Sequence, residues 1–406
     1  MQSPSHSVAE GPVSRPCNTA PACVTSLSLA AAPGPRLRLI RDFPEIDIVR
    51  STNILVRSIN FLYFALMKLV SYMLDGMVEI GALANAERDV VRLQAAQISA
   101  FGSPTAHFTD MLAFLAGDEA ARHAASRAVE YARTRCPPDV AIPVGSVMLL
   151  SPVPRPESIR EFMNFEQHVI NCARRFGMKP WRARLDNFIE RRFGREHTLA
   201  FKANQPWYER PIYYKGNRFA VIGHDAPVVI PRYTKLFDYE LEFGIFLSQG
   251  GRNIKKEHAH RHIGGYVVFN DFSARDIQGR EMGGRLGPSK GKDFDGGNAI
   301  GPVLVTPDEI PDPYSLTMTA RVNGKEWSRG NSGDMRFRFD DVIAYVSQDE
   351  TLYPGEFFGS GTCSGAQGMG CGLEQGRFLQ AGDVIELEVE RIGVLRNRVL
   401  ASEETA

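Results

Sequence analysis

The chain has 406 residues, 43% of them hydrophobic, enough to bury a large core and to build more than one domain. Lys and Arg number 47 and so do Asp and Glu, so nothing in the charge balance calls for nucleic acid or an anionic membrane as partner. The six cysteines, Cys17, Cys23, Cys136, Cys172, Cys363 and Cys371, form no C-x-x-C pair and read as reduced thiols of a cytoplasmic protein.

Residues 1–66 differ from the rest and read as a leader, disordered or targeting. The first forty are rich in Ser, Pro and Ala, with Glu10 the only acid before Arg15, Arg36, Arg38 and Arg41. That composition leans toward a mitochondrial presequence but lacks a clear basic amphipathic helix. The apolar run Ile59–Leu66 is too short to span a bilayer.

From Met67 to residue 147 the pattern predicts a small N-terminal α+β domain. Leu69–Tyr72 and Val78–Leu83 flank Asp75-Gly76, a hairpin signal, and Asp118–Arg135 reads as a helix ended by Cys136-Pro137-Pro138. Beyond it, Glu161 and His168 lie seven apart, which on a helix is two turns and one face. Residues 169–206 are basic and helical, broken at Pro180-Trp181, with Asp186, Glu190 and Glu196 among the arginines, as on a solvated face, a lid or a dimer contact.

Asp238-Tyr-Glu-Leu-Glu-Phe243 then alternates as a strand does, so Glu240 and Glu242 share one face and Tyr239, Leu241 and Phe243 the other. Two carboxylates side by side repel unless a cation lies between them. The apolar run from Tyr266 ends in Asn270-Asp271, delivering a third acid. Glu240, Glu242 and Asp271 make an oxygen-only donor set suited to Mg²⁺, Mn²⁺ or Ca²⁺. An isolated E-x-E pair is more often a solvated sheet edge, but Arg275, Gln278 and Lys292 follow closely, as stabilising a developing oxyanion requires.

Two other patterns carry less. His258, His260 and His262 would share a face only in a strand, whereas their charged surroundings predict a solvated helix. The Gly287–Lys292 loop lacks the residues a phosphate loop needs at Leu286 and Asp293. From Gly301 onward the chain reads as β, with Asn323-Gly324 at a hairpin tip, a short helix at Phe339–Ser347 and terminal strands at Asp383–Glu390 and Val394–Val399. No glycine fingerprint of a nucleotide-binding fold appears.

The strings Asp238-Tyr-Glu-Leu-Glu242, Asn270–Gln278 and Leu286–Phe294, followed by Thr351–Gly355, Gly359-Ser-Gly-Thr362, Gly382-Asp383-Val384 and Ile392–Asn397, resemble the fumarylacetoacetate hydrolase family. The resemblance spans roughly residues 148–400, in family order, and sets the expected catalytic domain at 148–406. It implies an α+β fold in which a mixed, strand-rich sheet rolls around a cavity, and a homodimer. It also implies that an acid at position 161 completes the metal site, here Glu161 in place of Asp, and that His168 pairs with Glu374 to activate water. Tyr214, the Gly361 backbone and the Thr362 hydroxyl fall at substrate positions. Met163 and Met282 replace tyrosines that grip substrate in fumarylacetoacetate hydrolase itself, so fumarylacetoacetate is not the expected substrate.

The expected activity is metal-dependent hydrolysis of a C–C bond in a small β-diketone or acylpyruvate-type acid, with Mg²⁺ the preferred cation. Glu161, Glu240, Glu242 and Asp271 would hold the ion, and His168, oriented by Glu374, would take a proton from water. Arg275, Gln278 and Lys292 would hold the oxyanion. The same enolate chemistry serves β-keto-acid decarboxylases, isomerases and hydratases, which form the alternative. A non-enzymatic binding protein is disfavoured because every acid, the lysine and the dyad are present.

Overall fold

A computed structural model of the protein describes residues 67–135 and 137–402. The expected leader, with its presequence-like composition and its apolar run, lies outside the described residues, as does Cys136. Asp75 (φ 49°) and Gly76 (φ 79°) occupy the two left-handed positions of a tight turn and join the strands Lys68–Leu74 and Met77–Ala84. The helix expected from Asp118 begins earlier, at Met111, and runs to Arg135 with a kink at Asp118 (φ 43°). There the Asp118 carboxylate accepts hydrogen bonds from Ser248 Oγ (2.9 Å) and Gln249 Nε2 (2.6 Å), tying the kink to the sheet.

Among the described residues the main sheet has twelve strands. Its central order is Lys68–Leu74, Asn298–Val305, Ile263–Asp271, Leu241–Leu247, Phe357–Gly359, Ile159–Phe162 and Tyr213–Gly216. Leu69 pairs with Leu304, so hydrogen bonding runs unbroken across the boundary expected near residue 147. Tyr213–Gly216 ends this path, yet the Tyr214 hydroxyl donates to Asp271 Oδ2 at 2.6 Å, which requires the sheet to roll back on itself.

Parity sorts the strand residues between two cores. Phe243 and Ile245, with Val268 opposite, face an inner core that includes Met318, Ala320, Ile385 and Leu387 of a second, five-stranded sheet. Phe246, Val267, Phe269 and Leu304 face the other way, against Phe114, Leu115 and Ala121 of the Met111–Arg135 helix. The strands are thus covered on both faces, and carboxylates among them must be satisfied internally. The expected Asn323-Gly324 turn (φ 52° and 73°) joins Thr317–Val322 to Lys325–Asn331. The Phe339–Val346 helix and the strands Val384–Val389 and Gly393–Leu400 also form.

The basic stretch after His168 becomes the helices Glu166–Phe176 and Pro180–Phe193, with Pro180 in the first turn of the second. Arg174 bridges them by donating to Asp186 (2.9 Å) and Glu190 (2.5 Å). His258 and His260 lie exposed on a short helix and 3-10 turn, while His262 Nδ1 sits 3.0 Å from the Gln249 carbonyl. None of the three belongs to a metal-competent cluster among the described residues.

Candidate metal centre and acid–base site

Four neighbouring strands bring the acids together through their register. Leu241 pairs with Asn270 and Glu242 with Phe269, so Glu240 and Asp271 face each other one step beyond the ladder. Gly244 pairs with Gly359, and Gly359 with Glu161, which sets the fourth carboxylate beside the first three. Carboxylate oxygens of Glu240, Glu242 and Asp271 lie within 4.8 Å of one another. None of the four acids is more than 5% exposed.

The Glu161 carboxylate occupies the space that a side chain at position 359 would fill. A Cβ built on Gly359 would lie 1.7 Å from Glu161 Oε2, so this glycine makes room for the longer acid. Glu161 Oε1 and Glu242 Oε2 both accept the Gly361 N–H at 2.9 Å. The Gly361 amide expected to grip substrate therefore clamps two acids instead. Thr362 is buried beside it, 2% exposed.

Two buried cations offset only part of this charge. Lys292 Nζ donates to Glu240 Oε2 (2.8 Å), Asp271 Oδ2 (2.5 Å) and the Asp271 carbonyl (3.2 Å). Arg275 Nε donates to Asp238 (2.8 Å), and its Nη1 lies 2.6 Å from Glu240 and 2.9 Å from Gln278 Oε1. Arg275 and Gln278, expected to face an oxyanion, are thus joined to each other, and Arg275 braces Glu240. Asp238 in turn accepts the Gly372 and Leu373 N–H groups at 2.8 and 2.9 Å, anchoring the segment that carries Glu374.

Electrostatics divides the acids. Burial opposes the charge on Glu240, but Arg275 and Lys292 hold its carboxyl well below the usual range. Burial, with the charges of Glu240 and Asp271, pushes Glu242 up to about 8. Burial and the Glu240 charge push Asp271 up to about 7 against the pull of Lys292. Glu161 is raised by burial and by its three acidic neighbours. Glu161 Oε2, Glu242 Oε1 and Asp271 Oδ1 are buried with no hydrogen-bond partner. Three unpartnered carboxylate oxygens in an all-oxygen cluster with excess negative charge fit a hard divalent cation.

His168 and Glu374 also meet, whereas the helix face expected to carry both Glu161 and His168 does not form. Glu161 lies on the Ile159–Phe162 strand, in which all four side chains are buried, and His168 on a helix that starts only at Glu166. His168 Nδ1 is 3.4 Å from Glu374 Oε1. Asn171 Nδ2 (2.8 Å), Ser364 Oγ (2.7 Å) and the Gly370 N–H (2.8 Å) donate to Glu374 and fix its carboxylate. Burial opposes an imidazolium at His168, while the neighbouring Cys172 and Glu374 favour it, and the balance raises its pKa.

Sequence reasoning passed over Cys172 and Cys371. Cys172 Sγ lies 3.4 Å from His168 Nε2, and Cys371 Sγ donates to Glu374 Oε2 at 3.6 Å. Cys172 follows His168 by four residues and Cys371 precedes Glu374 by three, so helical spacing could have found the first and simple adjacency the second. A cavity of about 830 Å³ is lined by Gln167, Asn171, Arg175, Arg184, Arg191 and Glu374 among others. It adjoins Glu374, and none of the four clustered acids lines it.

The family model described as fumarylacetoacetate (FAA) hydrolase C-terminal matches residues 159–400. The Homo sapiens protein named oxaloacetate tautomerase FAHD2A, mitochondrial, is 36% identical over 197 residues, 48% of this chain and 61% of that protein. The Xenopus laevis oxaloacetate tautomerase fahd2, mitochondrial, is 36% identical over 205 residues, covering 50% and 62%. The matched stretch thus spans about three fifths of these relatives. A fumarylacetoacetate hydrolase from Exiguobacterium antarcticum superposes with a TM-score of 0.59 at 24% identity, covering 83% of this chain and all of that one (100%). A maleylpyruvate hydrolase from Sphingobium.sp SYK-6 gives 0.57 at 20%, covering 83% and 100%. These two structures share the fold.

Proposed function

Because the chain belongs to the fumarylacetoacetate hydrolase family, we propose that it is a divalent-metal-dependent enzyme acting on a small oxo acid through its enol form. The observation that carries this reading is the set of three buried, unpartnered oxygens on Glu161, Glu242 and Asp271. A divalent cation held by these acids and Glu240, with Mg²⁺ our choice, would supply Lewis-acid polarisation of substrate oxygens. Lys292 holds Glu240 and Asp271 in place and keeps a positive charge where an enolate develops. The Tyr214 hydroxyl orients Asp271. Arg175, Arg184 and Arg191 on the cavity wall favour the approach of an anion.

Within that chemistry we favour keto–enol isomerisation of an oxaloacetate-like diacid, the reaction in the names of the 36% identical relatives. Hydrolysis needs one His168 nitrogen facing water. Here Nδ1 faces Glu374 and Nε2 faces Cys172, so both are engaged within the protein. Isomerisation moves a proton between carbon and oxygen without attack by water. C–C bond hydrolysis of an acylpyruvate remains the second reading, favoured by the His168–Glu374 pairing. The names of those relatives carry a mitochondrial location, which we propose here as well in place of the cytoplasm. A homodimer fits the exposed Trp181, Leu185 and Phe188 of the Pro180–Phe193 helix.

The deciding experiment compares wild type with His168→Ala. Both are assayed on enol-oxaloacetate, following enol absorbance and CO₂, and on an acylpyruvate, following the diketone chromophore. Isomerisation predicts fast enol loss without CO₂ and a mutant within about tenfold of wild type. Diketone cleavage that falls on the order of 10²- to 10⁴-fold in the mutant would transfer the assignment to hydrolysis. Activity on both substrates that survives excess EDTA would overturn the metal-dependent reading altogether.

A further inference from the structure

The wall shared by Glu240 and Cys371 separates two clusters with different donor chemistry. Glu240 and Cys371 form an isolated antiparallel bridge, and Leu241 N–H donates to the Gly370 carbonyl at 3.0 Å. On one side lie the all-oxygen acids. On the other, ligand atoms of His168, Cys371 and Glu374 lie within 4.8 Å of one another, with the Cys172 thiol beside the same imidazole. We infer that His168, Cys371 and Glu374, with Cys172 at the fourth corner, form a second cation site, selective for a thiophilic ion such as Zn²⁺.

The distances suit that ion. Tetrahedral zinc, with bonds of about 2.0–2.1 Å to N or O and about 2.3 Å to S, sets its ligand atoms roughly 3.3–3.8 Å apart. His168 Nδ1 is 3.4 Å from Glu374 Oε1 and 3.9 Å from Cys172 Sγ, and Cys371 Sγ is 3.6 Å from Glu374 Oε2. Cys172 Sγ lies nearer Nε2, at 3.4 Å, so its thiol has to swing toward Nδ1 to take the fourth corner. The supporting contacts are in place, because Ser364 Oγ and the Gly370 N–H hold Oε2 while Asn171 Nδ2 holds Oε1. Cys371 is fully buried and Cys172 partly exposed, so an ion can enter past Cys172 and be enclosed.

Selectivity follows from the donors. Thiolate and imidazole prefer Zn²⁺, whereas carboxylate oxygens suit Mg²⁺, so each ion has its own seat across one wall. Binding releases the Cys371 thiol proton to solvent, and the Cys172 proton too when that thiol joins, with no change of oxidation state. Zinc there withdraws His168 from proton transfer. That last consequence rests on His168 taking part in turnover, and the binding does not.

The test uses the full chain in excess Mg²⁺, titrated with Co²⁺ as a spectroscopic stand-in for Zn²⁺. Thiolate-to-cobalt charge-transfer absorption should saturate near one equivalent, vanish on adding Zn²⁺ and persist in still higher Mg²⁺. Glu242→Gln should keep the band and Cys371→Ser should lose it. No band, a band unchanged in folded Cys371→Ser, or one displaced by Mg²⁺ would overturn the site. Thiol alkylation mapped by mass spectrometry gives a second reading on wild type. Zn²⁺, but not Mg²⁺, should slow modification of Cys172 and Cys371 on the order of tenfold while leaving Cys363 unchanged. Unchanged rates at Cys172 and Cys371 would refute the proposal whatever the turnover assays give.

Discussion

Removing the cation should make the protein's stability depend on pH in a direction opposite to that of carboxylates held by salt bridges, whose pKa is lowered on folding. In the cluster, Glu242 titrates near 8 instead of its ordinary 4.5, through burial and the charges of Glu240 and Asp271. The unfolded chain releases that proton near pH 4.5, whereas the folded, cation-free protein keeps it to about 8. Over that window the folded state binds more protons than the unfolded one, so stability falls as pH rises. At 1.36 kcal/mol per pH unit, the loss attributable to Glu242 is on the order of 5 kcal/mol. Asp271, raised to about 7, belongs to the same mutual repulsion and is not an independent addition. For a chain of this size that loss corresponds to a fall in Tm on the order of 6 °C. A bound divalent cation takes the place of those protons, so Mg²⁺ should raise Tm far more at pH 8 than at pH 5.5. The measurement is thermal unfolding followed by circular dichroism at both pH values, with EDTA and with Mg²⁺. An equal Mg²⁺ effect at the two pH values, or none at either, would refute the coupling of these acids through a cation.

Asp271→Ala should abolish Mg²⁺ binding in calorimetry together with turnover, and retained binding would remove Asp271 from the ligand set. Gly359→Ala drives a methyl group into the Glu161 carboxylate, so Mg²⁺ affinity should fall on the order of 10- to 100-fold with the fold preserved. Unchanged affinity there would exclude Glu161 as a ligand. Tyr214→Phe removes the hydroxyl that orients Asp271 and should lower kcat/KM by roughly tenfold while Mg²⁺ still binds, as one lost hydrogen bond warrants. Asp238→Ala strips the buried Arg275 of a partner and frees the Gly372 and Leu373 amides. It should cost about 3–5 kcal/mol of stability, read as a lower denaturation midpoint in urea.

Alternation along Asp238–Phe243 reveals which face Glu240 and Glu242 share, because strand parity is local. The Asp75-Gly76 and Asn323-Gly324 hairpins are legible for the same reason. Glu161 was misassigned to a helix since Ile159-Arg-Glu-Phe162, buried on every side, carries no periodicity to separate strand from helix. The role of Arg275 was hidden for a different reason. Its partner Asp238 lies 37 residues away, and the pairing of Phe237 with Ala274, which juxtaposes them, depends on a register that spacing does not encode. The Gly361 backbone likewise reads as a substrate contact until Glu161 and Glu242 are both found to accept from its amide.

Glu161 and Tyr214 sit opposite each other on paired strands, and everything from residue 163 to 212 is an excursion that leaves the sheet and returns to it. The ends of that excursion are clamped by the ladder itself, so its length is nearly free of thermodynamic constraint from the four-acid cluster. The excursion carries the two helices, the arginines of the cavity wall, His168 and Cys172. Exchanging this segment leaves the four-acid cluster in place and removes His168 and Cys172. A chimera that grafts a different 163–212 segment between the same two strands should inherit the host's Mg²⁺ affinity at the four acids and the donor's choice of substrate.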